Sequence, residues 1–185
     1  MQADWEFEIG AGAPVIDACW PGLVDLRRKP DRIGDIGETA LVSALAPALL
    51  RMNSASSLVW TAKCDVWAPE TIDLDEVDAP GAETKCALAC YIDLLPSHPD
   101  QWSSPAGVEA YCRRVCRLLT AVAARCCRAD LVVRCAVLPA ERQTLGITAY
   151  LTGCGESEDR ASEALSTAVS ALADSVGRQA HEEYA

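Results

Sequence analysis

Five stretches of this chain alternate apolar and polar side chains at a period of two, and this most narrows what it can fold into: the pattern belongs to strands with one buried and one wetted face. "DWEFEI" sets Trp5, Phe7 and Ile9 against Glu6 and Glu8. "SLVWTAKCDVW" sets Leu58, Trp60, Ala62, Cys64 and Val66 against Val59, Thr61, Lys63, Asp65 and Trp67. "KCALACYIDLL" places Cys86, Leu88, Cys90, Ile92 and Leu94 opposite Lys85, Tyr91 and Asp93. "DLVVRCAVL" places Leu131, Val133, Cys135 and Val137 opposite Asp130 and Arg134, and "LGITAYLTGC" places Leu145, Ile147, Ala149 and Leu151 opposite Thr148, Tyr150, Thr152 and Cys154.

Three stretches have helical spacing instead. Ser104 is a natural N-cap with Pro105 at the first helical position, and Val108, Cys112, Val115, Leu119 and Val122 recur behind it. After Ser157, Ala161, Leu165, Ala168, Leu172 and Val176 form a second stripe, with Glu156, Glu158 and Asp159 suited to the positive end of its dipole. A third, near Glu38 to Met52, carries Leu41, Leu45 and Leu49, and Pro47 should kink or restart it. The segment between the first strand and this helix is rich in Gly and Pro, with short extra strands expected at Val15 to Ile16 and Leu23 to Leu26.

This order predicts one α+β domain over residues 1–185: a mostly antiparallel five-stranded sheet with helices packed on one face. Its βαββαβ core resembles the ferredoxin-like plan in pattern, with a fifth strand and a C-terminal helix added. A hairpin followed by a long helix also occurs twice, over 57–127 and 129–180, and two such units lying side by side fit the same pattern. Matching the buried faces brings Arg134 opposite or diagonal to Thr148 and Tyr150, and lets Asp65 meet Lys85.

Charge narrows the partners. A net charge of −11, from 27 acidic and 16 basic residues, repels phosphate backbones and anionic lipid, so neither nucleic acid nor membrane is expected as a partner and a basic one is easier to accommodate. "MQADWEFEIG" has no basic start or apolar run of signal-peptide type and no segment approaches membrane-spanning length, so a cytoplasmic location is expected. Thiols in that compartment stay reduced, and the ten cysteines then call for no disulfide framework.

The cysteines also lack metal-ligand spacing. There is no CxxC, and Cys86 and Cys90 on one strand stand roughly 13 Å apart, too far to share a zinc ion. Cys112 and Cys116, one helical turn apart, and the neighbours Cys126 and Cys127 are the two pairs for which metal binding or reactivity stays open. Core packing is the expectation for Cys64, Cys86, Cys90, Cys112 and Cys135, with Cys126 and Cys127 finishing the stripe of the preceding helix. The two histidines, His98 in a turn and His181 in the polar tail, supply no evident base for a nucleophile, and GxSxG is absent. "LTGCGESED" lacks the third glycine of a dinucleotide loop and carries acids where an anion would dock, so Gly153 and Gly155 read as a tight strand-to-helix turn. The acidic loop over 68–83, with Glu70, Asp73, Asp75, Glu76, Asp78 and Glu83, does not fit a calcium loop. No metal and no cofactor is expected.

What remains is the polar face of the sheet, with Glu6, Glu8 and Lys85 around the candidate binding residues Lys63, Asp65, Trp67, Tyr91, Asp93, Arg134, Thr148 and Tyr150. Mixed charge with aromatics suits a contact surface. The first expectation is a non-enzymatic cytosolic domain that binds a protein partner or its own copy through this face or the acidic loop. The alternative is a small enzyme or small-molecule binder centred on Arg134, holding an anionic group, with Asp93 or Asp65 as acid or base.

Overall fold

The structure is a computed structural model that describes residues 1–177 apart from positions 72, 74, 78 and 80–83. Asp78 and Glu83 of the acidic loop and His181 of the tail therefore lie outside the described residues.

Among the described residues the strands are β1 (Gln2–Phe7), β2 (Ile16–Asp17), β3 (Val59–Trp67), β4 (Cys86–Pro96), β5 (Cys127–Leu138) and β6 (Arg142–Gly155). They form one mixed sheet in the order β1-β5-β6-β4-β3, with β2 also beside β5. β1 and β2 run parallel to β5, and the other pairings are antiparallel. The α+β class is as expected; the five-stranded, mostly antiparallel sheet and the ferredoxin-like order are corrected to a six-stranded mixed sheet. In the ferredoxin-like plan β1 would lie between β4 and β5, but here β6 holds that place. The short connection Pro139–Glu141 lets β5 and β6 pair as neighbours in sequence. β6 then presents its other edge to β4 over nine positions, from Cys86 opposite Gly155 to Leu94 opposite Ile147. The two hairpin-and-helix units thus lie side by side, joined through their inner strands.

The helices α1 (Leu45–Met52), α2 (Pro105–Thr120) and α3 (Glu158–Val176) share one core with a single face of the sheet. Ser104 and Ser157 cap α2 and α3, accepting from the backbone N–H of Gly107 and Arg160. Val108, Cys112, Val115 and Leu119 of α2, and Ala161, Leu165, Ala168, Leu172 and Val176 of α3, are buried as their spacing requires. Pro47 restarts the first helix: α1 begins at Leu45, so the proline falls in its first turn, where a missing N–H costs little. Gly153 and Gly155 lie within β6 rather than in a turn, and their role is close approach. A Cβ on Gly153 would stand 2.2 Å from Leu165 N and 2.6 Å from Ala161 O, so α3 sits directly on the sheet there.

Three expectations about which side chains are buried fail, each for a local reason. β1 is an edge strand, and α2 covers Trp5 only in part, leaving Phe7 and Ile9 exposed. Cys135 continues the Leu131 and Val133 face but is exposed; Cys64 and Cys86 are only half-buried, whereas Cys90 and Cys112 are fully buried. α2 ends at Thr120, so Cys126 and Cys127 do not finish its stripe: Cys127 opens β5, and Cys126 before it has φ near 60°. The Cys126 carbonyl accepts from the Cys154 backbone N–H at 2.9 Å. Among the described residues no group of three or more His, Cys, Asp or Glu is placed to hold a metal ion.

The largest departure concerns the second face of the sheet. Between Thr61 and Cys64 the β3/β4 register slips by one residue, a β-bulge. The extra residue breaks the alternation, so Trp60 and Ala62 share a face with Lys63 and Asp65, while Val59 and Thr61 join Cys64 and Val66 under the helices. Trp60 and Ala62 then form a second small core with Leu95, Ala136 and Leu138, closed by Ile16 and Ala18 from the Gly/Pro-rich segment, with Leu23 packed against it. Arg27 lies over the Trp60 ring, its guanidinium carbon 3.6 Å from the centroid. The expected strand at Val15 to Ile16 is realised as β2 at Ile16–Asp17, and no strand forms at Leu23 to Leu26. A long connecting segment thus covers one end of a face that otherwise stays polar.

Candidate functional site

Where this cover meets the polar face, a cavity of about 390 Å³ remains. Of the eight candidate residues, Lys63, Tyr91, Asp93, Arg134, Thr148 and Tyr150 line it. Asp65 faces a neighbouring cavity, and Trp67 lies on the exposed margin, its ring 6.2 Å from that of Tyr91. Tyr91 and Tyr150 are paired across β4 and β6 with rings 6.1 Å apart, so an aromatic ladder crosses three strands. Asp65 pairs with Tyr91 rather than with Lys85, because Lys85 precedes β4 and its backbone N–H donates to Gly155 O.

Four of the five N–H donors of Arg134 are engaged by the protein. It stands opposite Gly146 and reaches diagonally, its Nη1 donating to the Thr148 hydroxyl at 3.2 Å and the Tyr150 hydroxyl at 3.1 Å. Its Nε and Nη2 both donate to Glu8 Oε2, at 2.9 and 2.5 Å, and only 12% of its side chain is exposed. The Thr148 hydroxyl in turn donates to Asp93 Oδ1 at 2.7 Å. A continuous chain Glu8–Arg134–Thr148–Asp93 thus runs from the residue after β1 to β4. Burial raises the Asp93 carboxyl above the ordinary carboxylate range, against the pull of Thr148, Arg134 and Lys63.

Lys63 is the exposed cation of the cavity. Its ammonium stands 5.7 Å from the Trp20 ring centroid and 5.9 Å from that of Tyr91. The Tyr91 hydroxyl is the main cause that raises its pKa, and Asp93 and Asp65 add to the attraction. Among the described residues no carboxylate lies within ion-pair distance of it. The bulge at Ala62 and Lys63 aims this side chain over the cavity.

Sequence reasoning missed the opposite wall. Pro14, Val15, Ile16, Asp17 and Trp20 complete the lining, and all come from the Gly/Pro-rich segment. The Trp20 indole N–H donates to Ala62 O at 2.9 Å and holds that segment against β3. The available signal was a pair of apolar residues at Val15 and Ile16 and a tryptophan before Pro-Gly, in a stretch long enough to fold back. No family model matches the chain, and no curated protein or solved structure shows significant similarity to it.

Proposed function

We propose that the protein is a non-enzymatic binding domain whose open-face cavity takes the anionic group of a small molecule. The observation that carries this is the convergence of six polar or aromatic side chains from four strands on one cavity, beneath a loop that partly closes it. A volume of about 390 Å³ suits a small ligand better than a flat protein contact. Lys63 supplies the charge, and the Tyr91 and Tyr150 hydroxyls supply direction. Arg134 acts as a positioning residue: four of its five donors are taken by Glu8, Thr148 and Tyr150, and its role is to hold Tyr150 and, through Thr148, Asp93. This departs from the expectation that Arg134 itself holds the anion.

The test is titration with butyrate, a minimal carboxylate, read by two-dimensional amide NMR. Saturable shifts in the native protein, at least tenfold weaker in Lys63→Met, support the reading. Unchanged affinity in Lys63→Met, with the fold intact, removes it.

A second reading, contact with a protein partner or a second copy, is favoured by Trp67, 38% exposed at the end of the aromatic ladder on β3, an edge strand. Light scattering at high concentration, comparing the native chain with Trp67→Ser, tests it. A mass above one chain that falls in the variant supports it, and a monomer at all concentrations opposes it. Among the described residues no helix is long and apolar enough to cross a membrane.

A further inference from the structure

A second cavity of about 420 Å³ adjoins the first and shares two of its lining residues, Trp20 and Lys63. The two differ in chemistry. The first is walled by hydroxyls and charges, whereas the second has Val24, Ile36, Leu41, Leu49 and Ala62 among its walls. It lies between the segment around Trp20, the 3-10 helical turn at Gly37–Ala40, α1 and β3. Leu41 on its wall is 59% exposed, a large apolar side chain beside an open apolar cavity.

Two features fix how the cavities relate. The Trp20 ring lies so close over Gly22 that a Cβ there would be 1.8 Å from the ring, and its indole N–H is held by Ala62 O. Trp20 is thus a placed partition rather than a loose flap. Lys63, next to Ala62 in the bulge, contributes to both cavities and keeps its ammonium beside the partition. The carboxylates on the apolar side are Asp35, Glu38 and Asp65, of which Asp35 is paired with Arg32. The polar cavity also holds two carboxylates, Asp17 and Asp93, but there the Lys63 ammonium and the Tyr91 and Tyr150 hydroxyls lie together to hold an anionic head.

We infer that the ligand is an amphipathic carboxylate, its anionic head at Lys63 in the polar cavity and its apolar chain in the cavity beyond Trp20. This rests on the reading of the polar cavity as an anion site and adds the chemistry of the rest of the molecule. A flexible alkyl chain suits the route better than a rigid ring system, because it must pass an indole fixed at both its N–H and its face. The sequence left this unseen because Trp20, Leu41 and Lys63 meet only through the bulge and the folded-back segment.

The experiment titrates butyrate, hexanoate, octanoate and decanoate into the full chain, with decylamine as the opposite charge. Each added methylene should strengthen binding roughly three- to fourfold until the chain fills the apolar cavity. Leu41→Glu, at an exposed position that should not disturb folding, should flatten that dependence. Ile36→Trp, which fills the cavity, gives the same outcome by a different route. Butyrate binding with no gain from chain length overturns the inference while leaving the anion site standing. No binding of any carboxylate removes both. Decylamine binding more tightly than decanoate overturns the assignment of the head group.

Discussion

The cover over the open face rests on Ile16, and truncating that side chain is the sharpest test of the fold as described. Ile16 is 3% exposed and packs with Ala18, Trp60, Leu95, Ala136 and Leu138, while its neighbour Val15 is 54% exposed. Gly146 on β6 leaves the space: a Cβ there would lie 2.8 Å from the Ile16 terminal methyl. Ile16→Ala removes three buried carbons, at about 0.8 kcal/mol each, and leaves a void in a small cluster that can partly close. The expected loss is about 2–3 kcal/mol. Val15→Ala, at an exposed position, should change stability by no more than about 0.5 kcal/mol. Urea unfolding of both variants supplies the values. Limited trypsin digestion supplies the location, since Arg27 and Arg28 follow the Ile16 to Leu23 part of the cover and both are exposed. Ile16→Ala should speed cleavage there and Val15→Ala should not. Equal stabilities and equal cleavage rates would refute the second core and, with it, the wall of the cavity.

Other expectations follow from the same packing. Gly153→Ala should cost about 3 kcal/mol or more in urea unfolding, because a Cβ there meets α3 backbone that cannot rotate away, whereas Gly37→Ala, with nothing within 4 Å, should be nearly neutral. Asp93→Asn should raise the thermal midpoint at pH 7. The folded state holds the Asp93 proton above its unfolded pKa, so this group favours folding at acid pH and loses that contribution as pH rises through its raised value; the neutral amide has nothing to lose. The advantage of the variant should shrink as the pH falls below the ordinary carboxylate range, and an advantage independent of pH would contradict the burial of Asp93. Under native conditions Cys19 and Cys135, both exposed, should react rapidly with a disulfide reagent. Cys90 and Cys112, buried and pushed up to about 12, should react only after denaturation.

How much of this was legible in the sequence depends on whether a local pattern or a long-range contact decided it. The faces of β4, β5 and β6 follow their alternation, which is why Tyr91, Asp93, Arg134, Thr148 and Tyr150 meet as expected. Likewise α2 and α3 begin at the serines that cap them. β3 misleads because one extra residue at Ala62 and Lys63 inverts the phase of its first half, and alternation cannot show a bulge that the partner strand creates. Strand order was hidden for a related reason: β6 displaces β1 from beside β4 through pairings between distant segments. The exposure of Cys135 and Phe7 depends on how far the helices extend over the sheet edge. The pairing of Arg134 with Glu8 required knowing that β1 lies parallel beside β5, and so the sequence pointed to the arginine when the more exposed cation is Lys63.

An amide NMR titration with butyrate tests whether the cavity between the polar sheet face and the folded-back segment is the recognition site. Saturable shifts should concentrate at Ile16, Asp17, Trp20, Lys63, Tyr91, Thr148 and Tyr150, all around that cavity, if it is the recognition site. Shifts confined to the exposed edge near Phe7 and Ile9, or to the acidic residues around Asp73, with none at Lys63 or Tyr91, would contradict it.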